Sequence, residues 1–457
     1  MDLPGLPGGH DDRPSPITKL PHEILTQIFF HSLGTVRKRP SADTPPLILG
    51  QICRSWRAVA LSTPLLWAAI MVAVTVGVAP LEDLEKTLLA VEELLTRSQD
   101  CPLKISLVYM HMGDEQHLVY EKKSYGIVAK LVQHTHRWKN VVLSLPKVLI
   151  GQVFERISAD ARCLQSLVVS ESDGMSRSSM EAISLSCAPQ LECFHILLLA
   201  QVDWGDSIMH KMRQISVKFP TIGALLECLD RCPSLTDFDF YSHAHPPFPL
   251  AALQTRFSAR RLSSVVYCSP DRLIPVQFSV ILDCLDLPAL KKFVLSTSMV
   301  PSDPLSLMRF LYRSHPPLEV LSINVFGMTT TELHECLRML PVLTTLRCGA
   351  MHFSGEKIEP FLVPSPPHGE PILCPNVESV WIIDDGEVAC RAVAKLVVNR
   401  QQNALILTTG ARRIRVFGLA PSNWGAFKEY PGIQHCMEEG LQLIDRASWF
   451  NHRRQQM

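Results

Sequence analysis

From about residue 138 onward the apolar positions fall into a recurring figure. An apolar residue is followed by two variable positions, a second apolar residue, one variable position and a third apolar residue. The copies are WKNVVL at 138, LQSLVV at 164, LECFHI at 191, MRQISV at 212 and LTDFDF at 235. LSSVVY at 262, LKKFVL at 290, LEVLSI at 318, LTTLRC at 343 and VESVWI at 377 continue the series. Successive starts lie 21–34 residues apart, a period that means stacked repeats. Each copy ends on strict alternation, the pattern of a half-buried strand. In six copies a proline stands two residues before the first apolar position, at Pro189, Pro233, Pro288, Pro316, Pro341 and Pro375. It stops the preceding element and leads into extended chain. Between copies the period changes to that of a helix, as in TIGALLECLDRC (221–232) and TTTELHECLRML (329–340). One strand and one helix per repeat predict a leucine-rich-repeat-like β/α array. The strict consensus ladder of Asn or Cys is missing, so the repeats are degenerate.

The first hundred residues carry helical patterns instead. In ITKLPHEILTQIFFHSLG (17–34), Ile24, Leu25, Ile28 and Phe29 form one wide apolar face. Pro21 suits the first turn, Glu23 the positive end of the dipole, and Gly34 the stop. In PLILGQICRSWRAVALSTPLLW (46–67), Leu49, Cys53, Trp56 and Ala60 sit at i, i+4, i+7 and i+11, with Ile52 and Val59 widening the stripe. This predicts a second helix, with Gln51, Arg54, Ser55 and Arg57 on its wet side. Ser62-Thr63-Pro64 breaks it, and a short turn presents Leu66 and Trp67. The uncharged run that follows, with a clean part of 15 residues from Leu65 to Ala79, is short of the ~20 a membrane helix needs. Its β-branched second half predicts a buried strand. Leu81, Leu84, Leu88, Val91 and Leu95 then form an a/d seam too short for a free coiled coil, so that helix is expected to pack on its own domain.

Composition narrows the classes. Hydrophobic residues make up 47% and charged residues 19% of 457, the composition of a chain with a large core. Lys+Arg and Asp+Glu both number 44, and no basic stripe with interleaved aromatics occurs, so neither nucleic-acid nor membrane-surface binding is expected. The 14 cysteines are scattered. Their closest pairs, Cys228/Cys232 and Cys187/Cys193, lack zinc-module spacing, which predicts free thiols in a reducing compartment, cytoplasmic or nuclear. The first residues, MDLPGLPGGHDDRPSP, have no apolar core of a signal sequence and read as a disordered tail. The Arg37-Lys38-Arg39 triplet reads as solvated loop charge.

No catalytic framework is visible: there is no H-E-x-x-H, no G-x-S-x-G and no Walker A. His134/His136, His243/His245 and Asp384-Asp385-Gly386-Glu387 stand without partners for a metal or nucleophile. The expectation is therefore a protein that is not an enzyme, with no cofactor and no metal.

LPHEILTQIF followed by ILGQICRSWRAVALSTPLLW resembles an F-box of the kind found in mushroom-type fungal proteins. The two helical halves match in order, and the insert at 35–45 differs in length only. A degenerate leucine-rich array behind it is common in that family. The resemblance implies an α+β or α/β chain: a small all-helical F-box, then a leucine-rich-repeat-like β/α solenoid. It implies a substrate-recognition subunit of a Skp–cullin–F-box ubiquitin ligase, with the ligase chemistry in other subunits. The F-box would dock on the Skp-type adaptor, and through it on a cullin, while the repeats hold an unknown protein target. The alternatives are an adaptor-binding scaffold and a plain repeat module for protein interaction. Docking and F-box core together involve Leu20, Pro21, Ile24, Leu25, Ile28, Leu49, Ile52, Cys53, Trp56, Leu66 and Trp67. Leu20, Pro21 and the helix around Ile52 and Cys53 are implied to touch the adaptor, whereas Trp56 and Trp67 lock the helices together. So small a module cannot bury all these groups by itself. The expected organisation is a tail (1–16), the F-box (17–70), a linker with helix and strands (71–130), the array (131–410) and a capping segment with a final helix from Gly432 to Ala447 (411–457). Target recognition is expected at the middle positions of the copies, such as Glu192, Asp237, Asp239, Lys291, Lys292, Glu319 and Arg347.

Overall fold

The computed structural model describes residues 20–33, 43–75, 81–110, 117–172, 180–242, 257–269, 276–297, 303, 305–324, 328–349, 361, 372–383, 387–405, 411–445 and 447–448. The tail, Arg37–Arg39, His243, His245 and Asp384–Gly386 lie outside them. The chain divides into two compact units, Met1–Arg177 and Ser178–Met457. The division falls inside the expected array.

The first unit opens with three short helices, α1 (His22–Ser32), α2 (Leu49–Ile52) and α3 (Arg54–Leu61), and a 3-10 turn (Pro64–Trp67). Then β and α segments alternate: β1 (Ala69–Thr75), α4 (Leu81–Arg97), β2 (Leu103–Met110), α5 (His117–Val132), β3 (Trp138–Leu145), α6 (Lys147–Ala159) and β4 (Ser166–Glu171). The strands pair in parallel in the order β1-β2-β3-β4. Parallel neighbours need a crossover, and the helices supply it. The segment expected as a linker thus contributes two strands to the same sheet as the first two copies. Registered rows such as Ile70, Ile105, Val141 and Leu167 form the core. The leucine seam of α4 packs inside this unit, as its length requires: Leu84, Val91 and Leu95 are buried. Gly126 of α5 lies against Leu88, where an added Cβ would stand 3.5 Å from a methyl group.

The second unit holds β5 (Glu181–Ser184), β6 (Cys193–Asp203), β7 (Gln214–Phe219), α7 (Ile222–Arg231), β8 (Asp237–Ser242), β9 (Phe257–Ser258) and β10 (Ser264–Ser269). It continues with α8 (Val276–Cys284), β11 (Leu285–Asp286), β12 (Lys292–Thr297), α9 (Leu305–Ser314), β13 (Val320–Asn324), α10 (Thr330–Arg338) and β14 (Thr345–Cys348). The last elements are β15 (Ser379–Ile382), α11 (Glu387–Leu405), β16 (Val416–Leu419), α12 (Trp424–Lys428), α13 (Ile433–Glu438) and β17 (Gln442–Asp445). Its large sheet is parallel throughout, in the order β6-β7-β8-β10-β12-β13-β14-β15-β16-β17, with β5 beside β6. β9 and β11 form a separate small pair.

The repeat figure has a direct physical translation. Its second apolar residue becomes a registered core row, Phe194, Ile215, Phe238, Val265, Phe293, Leu321, Leu346 and Val380, which Phe417 of β16 extends beyond the ten copies, each at most 2% exposed. Its first apolar residue closes a turn. The N–H of Leu191, Leu235, Leu290, Leu343 and Val377 donates to the carbonyl three residues earlier, at 3.1–3.3 Å, with the proline at the second turn position, where its fixed φ fits. At Pro316 the turn is tighter, and Leu318 N–H bonds Pro316 O at 2.8 Å. Helix starts are capped where the sequence allows. Thr221 Oγ1 accepts from Ala224 N–H, and Thr329 with Glu332 forms a full capping box on α10.

Two expectations fail at the chain's end. The helix expected over Gly432–Ala447 stops at Glu438. Gly440, at φ +105°, reverses the chain, and Gln442–Asp445 joins the sheet as its edge strand. A positive φ suits glycine, and the short apolar pattern of LQLID fits a strand equally well. The period also persists where sequence spacing lost it, because β16 and β17 extend the same parallel sheet. Among the described residues no helix is long and apolar enough to cross a membrane, and the uncharged run at Ala69–Thr75 is the strand β1.

Arg400 of α11 organises the approach to β15. It is 3% exposed and donates to the carbonyls of Phe361, Leu373, Cys374, Pro375 and Arg412 at 2.8–3.4 Å. Burial lowers its pKa and pushes the neighbouring Cys374 thiol up to about 12. Beyond it, Trp381 lies over Gly418 in the registered position on β16. A Cβ at Gly418 would stand 2.0–2.7 Å from three ring atoms. Gly418→Ala is therefore expected to lower stability by about 1–3 kcal/mol or more through overpacking, read as a lower melting temperature, with Trp381→Leu partly restoring it.

Candidate docking module

The three N-terminal helices are held by a small set of contacts. Leu25 and Phe29 of α1 are buried, and the Phe29 ring meets Trp56 of α3 at 4.9 Å between centroids with a 57° tilt. His22 Nε2 lies 3.2 Å from Ser62 Oγ, tying the start of α1 to the end of α3. Trp67 Nε1–H donates to Ala60 O at 2.8 Å, and the Arg97 guanidinium of α4 sits 4.4 Å above the Trp67 ring. That cation–π contact, worth about 0.5–1 kcal/mol at exposed sites, joins the module to the first helix of the repeats. Trp56 Nε1 is buried with no hydrogen-bond partner among the described residues.

The single helix expected over Leu49–Ala60 is broken. Cys53 is extended, with φ −157° and ψ 170°, and separates α2 from α3. Its sulfur accepts from Trp56 N–H at 3.4 Å and acts as the N-cap of α3. Arg57 Nε–H donates to Gly50 O at 2.6 Å across the break. Apolar spacing could not reveal this, because Leu49, Cys53 and Trp56 keep helical intervals on either side of the kink.

The break redistributes the eleven residues singled out from sequence. Leu25, Leu49, Trp56, Leu66 and Trp67 are buried. Leu20 and Cys53 are half-buried, and Pro21 is exposed. Ile24, Ile28 and Ile52 are 48%, 39% and 55% exposed. Ile24 and Ile28 therefore do not share the buried face of Leu25 and Phe29, and Ile52 does not widen the stripe of Trp56. Pro21, Ile24 and Ile28 follow one another at helical spacing, an aliphatic stripe beside the buried one. Two residues missed in sequence are of the same kind. Leu61 and Leu65 are exposed large aliphatics, and the 3-10 turn that buries Leu66 turns Leu65 outward.

The residues expected to meet a target divide differently. Glu192, Lys291 and Glu319 are exposed and sit just before the strands. There, backbone bonds such as Glu319 N–H to Lys291 O bind one repeat to the next. Lys291 and Glu319 pair at 2.9 Å. Asp237, Asp239 and Lys292 are half-buried. Arg347 is 8% exposed, with Nη1–H directed at Ser322 Oγ 3.4 Å away. It is thus a poor recognition residue, because consecutive positions on β10 and β12–β15 are buried on both faces of the sheet. In the first unit the second face is open: Met71, Val108 and Val168 are half-buried, and Val142 is exposed.

Other candidate chemistry is sparse. His134 and His136 stand 6.1 Å apart, and burial, then Arg137 and His136, lower the His134 pKa. Among the described residues no group of three His, Cys, Asp or Glu converges as a metal site. Cys228 and Cys232 are buried, and burial and the neighbouring thiol raise the Cys228 pKa. Such thiols are unreactive.

Compared with known proteins, the chain matches no family model and no curated protein.

The module's interior depends on Trp56. Its truncation to Ala is expected to cost about 3–5 kcal/mol and to release α1. Tryptic cleavage within 20–67 should accelerate while the far-ultraviolet signal of the repeats is retained.

Proposed function

We propose that this chain is a substrate-recruiting subunit of a Skp–cullin–F-box ubiquitin ligase. The N-terminal helices dock on the Skp-type adaptor, the adaptor links to a cullin, and the repeats hold a protein target. One observation carries the reading: a module whose own core is complete still leaves Pro21, Ile24, Ile28 and Ile52 in water. Burying a large aliphatic side chain is worth about 1.5–3 kcal/mol, so three or four such anchors offset the cost of association. The same residues lie within the two segments that resemble the F-box. The target side rests on the open second face of the first unit's sheet and the exposed pre-strand positions of the second.

Combined Ile24→Asp and Ile52→Asp is expected to abolish capture of a purified Skp-type adaptor by the full chain. Unpaired carboxylates would then have to be desolvated on docking. Because both side chains are exposed, the melting temperature should stay within a degree or two. Adaptor binding that survives this pair, with the protein folded, would overturn the docking reading. In a second capture by the full chain, from purified adaptor and cullin together, recovery of the adaptor without the cullin would favour the scaffold alternative, and recovery of neither would favour a plain repeat module.

A further inference from the structure

Among the described residues the sheet of the first unit ends on β1, and that edge has unusual properties. Among the described residues β1 pairs only with β2, in unbroken parallel register from Ala69↔Lys104 to Thr75↔Met110. Ala68 O accepts from Lys104 N–H at 2.8 Å, which sets the direction of every backbone group that follows. Ala68 directs its C=O toward β2 while its N–H donates to Leu65 O at 3.4 Å; Ile70, Val72 and Val74 direct both N–H and C=O toward β2, and Ala69, Met71, Ala73 and Thr75 direct theirs away from it. None of these outward groups has a hydrogen-bond partner among the described residues. Within the described residues β1 touches chiefly β2, α4 and the 3-10 turn Pro64–Trp67.

Natural edge strands are normally short, charged, bulged or interrupted by proline. AIMVAVT has seven residues, no charge, no proline and no bulge. We infer that this edge is an interface with a second copy of the chain, formed by antiparallel pairing of β1 with its own image about a two-fold axis at Val72.

The strand is self-complementary in that register. The axis sets Met71 opposite Ala73 of the second copy and Ala69 opposite Thr75. All four residues have outward backbone groups, so every opposed pair exchanges two hydrogen bonds. Ile70 then faces Val74, and Val72 faces its own image, on the side of the sheet that carries the core. Those three side chains are already at most 5% exposed within one copy, so the backbone hydrogen bonds and the open-side contacts carry the pairing. On the open side Met71 meets Ala73, so the longer side chain covers the shorter. No charge is opposed to a like charge anywhere along the strand. An isologous contact of this kind closes on itself and cannot propagate into a filament. A generic peptide would need its own matching pattern, whereas a second copy brings it.

The test is the association state of the full chain across a hundredfold concentration range by sedimentation. The wild type is expected to be a reversible dimer. Ala73→Pro removes one outward N–H and leaves the β2 ladder untouched, so it should yield a monomer whose melting temperature equals that of the wild type at the dilution where it dissociates. Charge pairs read the register without proline. Met71→Lys with Ala73→Lys opposes like charges across the axis and should abolish the dimer, whereas Met71→Lys with Ala73→Glu opposes unlike charges and should keep it. A monomeric wild type overturns the inference, including one that binds an added extended peptide at this edge. So does a dimer that tolerates both charge pairs equally.

Discussion

The repeated β/α segments depend on one constraint, in-register parallel pairing of short strands whose middle apolar residues stack into a continuous row. Phe194, Ile215, Phe238, Val265, Phe293, Leu321, Leu346, Val380 and Phe417 occupy one line across nine strands. Each is shielded by the one before and the one after. A second registered pair two residues along, Phe240 and Tyr267 at 4.9 Å, packs beside the row, with Phe238 stacked on Phe240 at 5.1 Å. A one-residue slip at any pair would turn the whole strand inside out. The turn that begins each copy prevents it, since its backbone bond sets the residue at which pairing starts. Arg400, with five carbonyl partners, does the equivalent work where the connection between strands is longest.

The N-terminal helices obey a different logic. Their interior is only a few side chains deep, built on Leu25, Phe29, Leu49, Trp56 and Trp67. Such a module cannot enclose every aliphatic residue it carries, and the extended Cys53 decides which ones remain outside. Packing and adhesion therefore come from adjacent residues, Leu25 and Ile24 in one helix, Leu66 and Leu65 in one turn. The cation–π contact of Arg97 with Trp67 and the direct run of the 3-10 turn into β1 make the helices continuous with the first repeat.

Much of the array was legible along the chain. Nine of the ten apolar figures begin two residues before a strand, and the segments 221–232 and 329–340 became α7 and α10. Period is a local property, and burial of one face enforces it. What misled were positions where the period is compatible with two structures. Helical spacing across Cys53 concealed a break. LQLID reads as helix or strand, and Gly440 chose the strand. The segment from 71 to 130 has no copy of the figure, yet β1 and β2 complete the sheet, since strand pairing asks for backbone groups and apolar alternation and not for a consensus.

The sequence by itself determined the element types of the repeats, the residues of the core row and the two-part helical motif at the start, because each follows from short-range spacing and residue chemistry. Tertiary structure decided exposure. Ile24, Ile28 and Ile52 on one hand, and Val266, Val294 and Arg347 on the other, are indistinguishable from their neighbours in a pattern of apolar and polar letters. The first three stay in water and the last three lose it. Solvent access depends on what other segments bring alongside a residue, and no local period encodes that.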